Sequence, residues 1–152
     1  EYVHTVVSCY KEAIASVLEG TFTEEKKDAW DERLATVFNR GFWDGYYQGQ
    51  TIGEWNKNYG SCATEKKVLV GKVVKYFSKL GVAEVAVEAS EFGVGDKLLV
   101  TGNATGALWL TADEIRYDLK PGERALQRQR VSIPVPEKVR PNDKLYRIDI
   151  QK

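Results

Sequence analysis

The single histidine and the two cysteines are the first candidates for a nucleophile or a transition-metal ligand: His4, Cys9 and Cys62. An active thiol needs a neighbouring base, and a catalytic metal needs several ligands that converge on one ion. The histidine has no cysteine, serine or acid at a meaningful spacing. The two cysteines lack the close spacing of a zinc or iron–sulfur site. We therefore expect no metal site and two reduced thiols, with a disulfide between them as the alternative.

One local pattern with an acidic residue occurs twice, in residues 94–98 and 141–145. In each copy a turn residue, Gly95 or Asn142, is followed by an aspartate, a lysine and a leucine. The two acids, Asp96 and Asp143, could bind a metal or exchange protons. They could equally accept backbone N–H groups at two equivalent turns, since glycine and asparagine tolerate a left-handed turn. We favour the second interpretation.

A basic cluster follows the Pro121-Gly122 turn and consists of Arg124, Arg128 and Arg130. Lysines are also dense in the first predicted strand, at Lys66, Lys67, Lys72, Lys75 and Lys79. Such a surface could contact the phosphates of RNA. The alternative is an ordinary solvated surface, because acidic residues are interspersed among these bases.

Residues 39–49 form the most distinctive segment, which we call the aromatic strap. Three glycines would destabilise a helix here, and large rings are seldom left exposed in a loop. The segment therefore predicts a turn-rich docking or binding element. Its candidate binding residues are Asn39, Arg40, Phe42, Trp43, Tyr46 and Tyr47.

Two helices are predicted before the strap. Apolar residues recur every three or four positions from Tyr2 to Leu18, and Gly20 ends the pattern. Thr21 or Thr23 can cap a second helix, and the acidic residues that follow would stabilise the first turn of that helix. Its buried side would carry Trp30, Leu34, Val37 and Phe38. Residues 50–65 show no periodicity and are interpreted as a linker.

From Lys66 onward the apolar pattern has a period of two, which is typical of strands. The predicted inward residues are Val68, Val70, Val74, Ala83, Val85, Val87, Leu98, Val100, Ile115, Tyr117, Leu119, Val131, Ile133, Val135, Tyr146, Ile148 and Ile150. Six or seven short strands in this space favour a small closed β-barrel, since closure removes exposed edges. The expected fold is thus mainly β: two α-helices, the strap and a barrel.

Charge divides the chain in the same place. Residues 1–65 contain 11 acids and 6 bases, whereas residues 66–152 contain 11 acids and 16 bases. We predict a helical segment with strap and linker at 1–65 and a barrel domain at 66–152. The chain contains no methionine and begins at Glu1, so we expect a fragment of a longer protein. No apolar run reaches the length of a membrane span, and no signal peptide is evident, so we expect a cytoplasmic location.

Several of these segments resemble known families. The barrel pattern is similar to the second domain of elongation factor Tu in residues 70–73, 81–85, 95–98, 105–106 and 139–143. Residues 2–14 and the Val37-to-Gly45 segment resemble the C-terminal region of peptidase family U32, the collagenase-like peptidases. Residues 114–116 and 131–135 are similar to that family's tail. Two departures are Trp43-Asp44, where smaller residues are usual, and Asn142, where glycine is more common.

The resemblance implies an upstream catalytic half, with cysteines that hold an iron–sulfur cluster in several branches. It further implies either proteolysis or hydroxylation of transfer RNA, ribosomal RNA or quinone precursors. Cys9 and Cys62 fit no cluster motif, so none of those ligands is carried onto this chain. We expect no cofactor here.

The sequence is compatible with three functions. A non-catalytic accessory module would position substrate or cover the upstream catalytic half, which would be its partner. An RNA-binding barrel in a hydroxylating family member is the alternative, with RNA or protein substrate as partner. A self-contained hydrolase is disfavoured by the small catalytic inventory. We expect no enzymatic activity in this segment, no membrane contact, and an oligomeric state that the sequence leaves open.

Overall fold

The computed structural model describes residues 1–42, 45, 49 and 60–151. The chain divides into two compact units. The first, the helical unit, comprises Glu1–Glu65 with Gln151–Lys152, and the second, the β unit, comprises Lys66–Ile150.

The helical unit contains α1 (Tyr2–Leu18) and α2 (Glu24–Thr36). Of the two candidate caps for α2, Thr23 is the one used: its hydroxyl accepts a hydrogen bond from Lys26 N at 3.3 Å. Gly20 follows the end of α1 and has φ of 68°, a left-handed conformation that suits glycine. The predicted buried side of α2 is only partly correct, because Trp30 and Leu34 are half-buried whereas Phe38 is exposed.

The β unit contains ten strands, most of them short. Their bounds are β1 (Glu65–Phe77), β2 (Val82–Val87), β3 (Phe92–Gly93), β4 (Lys97–Gly102), β5 (Gly106–Thr111), β6 (Ile115–Tyr117), β7 (Lys120–Gly122), β8 (Arg124–Ala125), β9 (Arg130–Pro134) and β10 (Lys144–Ile150). Eight of these strands form one sheet in the order β5-β4-β10-β1-β2-β9-β6-β7, and β3 pairs with β8 separately. These pairs of neighbouring strands are antiparallel: β1–β2, β2–β9, β3–β8, β4–β5, β4–β10, β6–β7 and β6–β9.

A single apolar core lies against one face of this sheet. Leu108 from β5 at one end and Ile115 from β6 near the other end belong to the same buried cluster. The sheet must therefore curl around the core for both residues to reach it. The alternation predicted for β2 and β9 is correct, because the inward residues of these strands are buried: Ala83, Val85, Val87, Val131 and Ile133. In β4 the predicted residues Leu98 and Val100 are buried, but Leu99 between them is buried too, so this strand does not alternate.

The closed six- or seven-stranded barrel is a wrong prediction in its detail, although the mainly β class with two helices is confirmed. The sheet has two ends, β5 and β7, and no pairing between the described strands joins them. Pro121 lies in β7, where its missing N–H is tolerated because that strand is at an edge. β6 pairs with β9 through one register position, Arg116 with Ser132, so this end of the sheet diverges.

Several predicted inward residues of β1 and β10 lie outside the buried core: Val68, Val74, Tyr146, Ile148 and Ile150. A β-bulge between Val73 and Lys75 shifts the register of β1, so Val73 is buried and Val74 only half-buried. In β10 the core residue is Leu145, which pairs with Val100, whereas Ile150 is 80% exposed.

Of the three inward residues predicted around β6, only the first lies in the core. Only Ile115 is buried, and Tyr117 pairs with Lys120 across a two-residue loop. The loop residues Asp118 and Leu119 both have positive φ, 49° and 64°, as a type I′ hairpin turn requires. Leu119 therefore points away from the core and is 89% exposed.

Candidate docking surface

An apolar stripe on α1 lies on the surface of the helical unit. Its residues follow one another at intervals of four, three, four and three positions, and the stripe is formed by Val3, Val7, Tyr10, Ile14 and Val17. We call this stripe the α1 seam. At about 3.6 residues per turn its members fall within an arc of about 80°. All five are exposed, with exposed fractions between 49% and 70%, and Leu18 beside them is 81% exposed.

The face of α1 that packs on α2 is a different one. Its buried residues are Cys9 and Ser16, and Cys9 lies about 120° around the helix from the centre of the seam. Glu12 Oε2 accepts hydrogen bonds from Trp30 Nε1 at 3.0 Å and from Arg33 at 2.5 Å. These bonds hold α1 in one rotation against α2, which leaves the seam on the outside.

A groove between the two helices continues the seam. It has a volume of about 220 Å³, and its walls include Tyr10 of the seam together with Phe22, Trp30 and Leu34. The Phe22 and Trp30 rings are tilted by 39° with centroids 6.2 Å apart. Lys27 and Asp31 of α2 also line it. The seam and groove together form one apolar surface with charged residues at its edge.

Local contacts and burial shift the pKa values of Cys9 and Glu12 in this unit. Burial raises the pKa of the Cys9 thiol, which disfavours the thiolate that a nucleophile needs. A hydrogen bond from Arg33 lowers the pKa of Glu12, so this carboxylate stays charged as a structural acceptor. Both cysteines are free thiols, Cys9 buried and Cys62 exposed, so the disulfide alternative is wrong. Within the described residues no cluster of histidine, cysteine and acidic side chains could hold a metal.

Three of the strap candidates lie within the described residues. The Asn39 side-chain amide donates to the carbonyls of Val37 and Ala35 at 2.9 and 3.3 Å, and its oxygen accepts from Gly41 N at 3.0 Å. Asn39 therefore closes the end of α2. Arg40 is exposed and engaged in an interaction, and Phe42 is 61% exposed.

The other three strap candidates, Trp43, Tyr46 and Tyr47, lie outside the described residues. Binding by the strap therefore stays a prediction.

The three arginines of the predicted basic cluster are all exposed and lie on β8, β9 and the turn between them. Arg124 lies 3.8 Å from Glu91, and Arg130 lies 3.9 Å from Glu84. Arg128 occupies the turn with φ of 70°. The neighbouring carboxylates offset part of the positive charge that a phosphate would meet.

The two aspartates of the repeated pattern have equivalent structural positions. Asp96 Oδ2 accepts from Gly93 N at 2.7 Å, and Asp143 Oδ2 accepts from Arg140 N at 2.8 Å. Each carboxylate thus binds the backbone N–H three residues earlier, while the intervening Gly95 and Asn142 have φ of 91° and 70°. This is the turn interpretation, and the geometry gives no acid pair.

The seam is the feature that reasoning from sequence missed. The apolar periodicity of α1 was recognised, but it was treated as one stripe that included Tyr2 and Val6. The signal that separates the two faces is the strict four-three alternation from Val3 to Val17, which is the spacing of a coiled-coil seam. The helix within the described residues that carries it is neither long nor apolar enough to cross a membrane.

Known relatives match nearly the whole chain. A collagenase of Porphyromonas gingivalis strain W83 is 58% identical over 149 residues, which is 98% of this chain and 36% of the relative. A second P. gingivalis collagenase has the same identity, and the match covers 41% of its length. An uncharacterised protease of Methanocaldococcus jannaschii is 29% identical over 153 residues, or 36% of its length. The chain thus spans roughly two fifths or less of these relatives.

Two solved structures are similar in part. The C-terminal domain of a Geobacillus thermoleovorans protein described as a U32 peptidase aligns with a TM-score of 0.49 and 20% identity, covering 51% of this chain and 95% of that domain. A bacterial selenocysteine-specific elongation factor aligns with a TM-score of 0.43 and 18% identity, covering 53% of this chain and 14% of the factor. Residues 1–57 match the model of peptidase family U32. This segment carries the similarity of the chain to peptidase family U32, as the sequence resemblance predicts.

Proposed function

We propose that this chain is a non-catalytic C-terminal accessory module of a U32-family peptidase, which positions substrate or covers the upstream catalytic half. The observation that carries the proposal is the exposed α1 seam within the segment that matches the family model. No cofactor in this chain and a cytoplasmic location are parts of the same proposal.

An exposed apolar seam of this kind is more stable when a partner covers it than when it faces water. Each buried Å² of apolar surface stabilises an interface by roughly 25 cal/mol, and contiguous apolar patches usually mark interaction sites. Tyr10 and Ile14, both about 60% exposed, would bury much of this surface on docking. The relatives supply a candidate partner, because about two thirds of the length of the W83 collagenase lies outside the match.

The test uses that collagenase. The stretch matched by this chain is removed, and cleavage of gelatin is measured for the full-length relative, for the truncated form, and for the truncated form mixed with this chain. We expect the truncation to lose most activity and the added chain to restore part of it. A truncated form with full activity on gelatin and on short peptides would contradict an accessory role.

A second assay examines the chain by itself. It is incubated with gelatin, casein and fluorogenic peptides, with and without zinc or calcium, and we expect no turnover because Cys9 is buried and held as a thiol. Turnover that survives repurification and disappears with a single substitution, such as Cys62→Ser, would show that this segment is itself an enzyme.

A further inference from the structure

The spacing of the α1 seam specifies the kind of surface it can accept. Alternation of four and three residues places Val7 and Ile14 at the a positions of a heptad, and Val3, Tyr10 and Val17 at the d positions. Such a stripe packs against another helix, whose side chains fit between these residues as knobs into holes.

Charges flank the seam on both sides. Lys11, which is exposed, occupies the e position on the edge away from α2. On the other edge, Lys27 and Asp31 of α2 both line the groove, and Lys27 is paired with Glu24 at 3.0 Å. A helix that fits here would carry an acidic residue towards Lys11 and a basic residue towards Asp31, because opposite charges at these positions set partner and orientation.

A second copy of this chain fits less well. The seam belongs to a 17-residue helix, so it is about 25 Å long and roughly 10 Å wide. A strip of that size offers roughly 250 Å², well below the ~800 Å² that each partner buries in a stable complex. An antiparallel pair would also bring Lys11 towards the same residue of the copy, and a parallel pair would place it near Val6 or Ala13 at g positions.

We infer that the α1 seam and its groove hold an amphipathic helix from the part of the same polypeptide that lies outside this chain. The inference rests on the proposed function and names its partner. A covalently connected helix needs less buried area, since the link raises its effective concentration to the millimolar range. The length of the relatives beyond the match leaves room for such a helix.

The experiment measures binding of this chain to the truncated P. gingivalis collagenase by calorimetry, at concentrations up to about 1 mM, the range of effective concentration that a covalent link supplies. Val7→Gln with Ile14→Gln removes two a-position contacts, and we expect affinity to fall at least about 30-fold. Glutamine is a good helix former and both sites are exposed, so the helix content should not change. The matched control is Leu119→Gln with Ile150→Gln, which changes two exposed apolar residues of the β unit and should leave affinity within about threefold.

Two further measurements identify the occupant. Lys11→Glu should weaken binding by more than the control does, and hydrogen exchange of the bound fragment should show one newly protected segment with helical apolar spacing. Sedimentation of the chain alone should show a monomer at micromolar concentration; a dimer that the seam variant abolishes would assign the seam to a second copy and overturn the inference. Wild-type chain that does not bind the fragment would overturn it too.

The outcomes separate this inference from the accessory function. Seam-dependent binding without recovery of gelatin cleavage would leave the helix partner in place and contradict the accessory function. Recovery of cleavage with binding that Val7→Gln and Ile14→Gln leave unchanged would do the reverse.

Discussion

The hydroxyl of Thr105 donates a 2.5 Å hydrogen bond to Oδ2 of Asp143, a residue 38 positions away in sequence. The same oxygen accepts from Arg140 N at 2.8 Å, and Asp143 is only 6% exposed. Gly102 lies so close that a Cβ there would be 1.9 Å from Asp143 Oδ1. One carboxylate thus joins the β4–β5 turn to the start of β10.

Replacing Asp143 by alanine should destabilise the β unit by about 1–3 kcal/mol, because the partly buried Arg140 N–H and the Thr105 hydroxyl lose their acceptor. Thr105→Val removes a single donor and should cost less, about 1 kcal/mol. Urea unfolding followed by circular dichroism measures both. Asp113→Ala, at an exposed site, is the control. An equal loss of unfolding free energy in that variant would show that the hydrogen bonds of Asp143 add no stability.

Stability should depend on pH through Asp149, since the hydrogen bond from Arg147 lowers the pKa of this carboxyl. A lowered folded pKa stabilises the protein above the ordinary aspartate pKa, and that stabilisation is lost as pH falls through the folded value. Asp149→Asn should therefore cost up to about 1 kcal/mol at pH 7, a small value because the pair is partly exposed. The difference from wild type should shrink as the pH falls below the ordinary aspartate pKa and through the lowered folded value. Urea midpoints at several pH values measure it, and a difference that grows in acid would refute the sign.

The two thiols should differ in reactivity. Cys62 is exposed and should react with a disulfide reagent quickly, whereas Cys9 is buried with a raised pKa and should react only as the helical unit opens. Two kinetic phases are expected at pH 8, and Cys9→Ser should remove the slow one. A single fast phase that accounts for both thiols would mean that α1 and α2 do not protect Cys9.

Residues 66–152 should fold without the helical unit, because their core cluster is drawn entirely from the β unit. We expect a cooperative urea transition and a strand-type circular dichroism spectrum from this segment. Its behaviour is compared with that of the full chain. A molten or insoluble segment beside a stable full chain would place the domain boundary elsewhere.

Binding of transfer RNA to the β unit should be weak, at or beyond the ~10⁻⁴ M end of the range for non-specific binding. The reason is that Glu91 and Glu84 lie within 4 Å of Arg124 and Arg130. Titrations at several salt concentrations test this, with all three arginines, Arg124, Arg128 and Arg130, changed to glutamine. Tighter binding whose salt slope flattens by about 2–3 units in the triple variant would instead support RNA recognition here.

The parts of the fold that the sequence predicted are those governed by local rules. The ends of α1 and α2 follow from Gly20 and Thr23, and the period-two alternation identifies β2 and β9 because each has one buried face. The register of β1 and β10 depends on a bulge and on pairing between distant strands, which a sequence pattern does not contain. Closure likewise depends on whether the two end strands meet, and local alternation says nothing about that.

The candidate site shows the same division. Asn39 was recognised as special, and it does organise the chain after α2, but through its own backbone contacts. The arginines were grouped by sequence proximity, and the acids beside them come from β2 and the segment before β3. The seam on α1 was present in the sequence as spacing, but its exposure became evident only once Cys9 and Ser16 were seen to face α2.

The hydrogen bond from Gln151 N to Thr64 O, 2.7 Å long, joins the residues that immediately flank the first and last long strands. The polypeptide therefore enters and leaves the β unit at a single point. Removing residues 65–150 would leave two ends already side by side, which a peptide link could join with little rearrangement. Because its two ends lie side by side, the β unit is suitable for transfer into a loop of another protein.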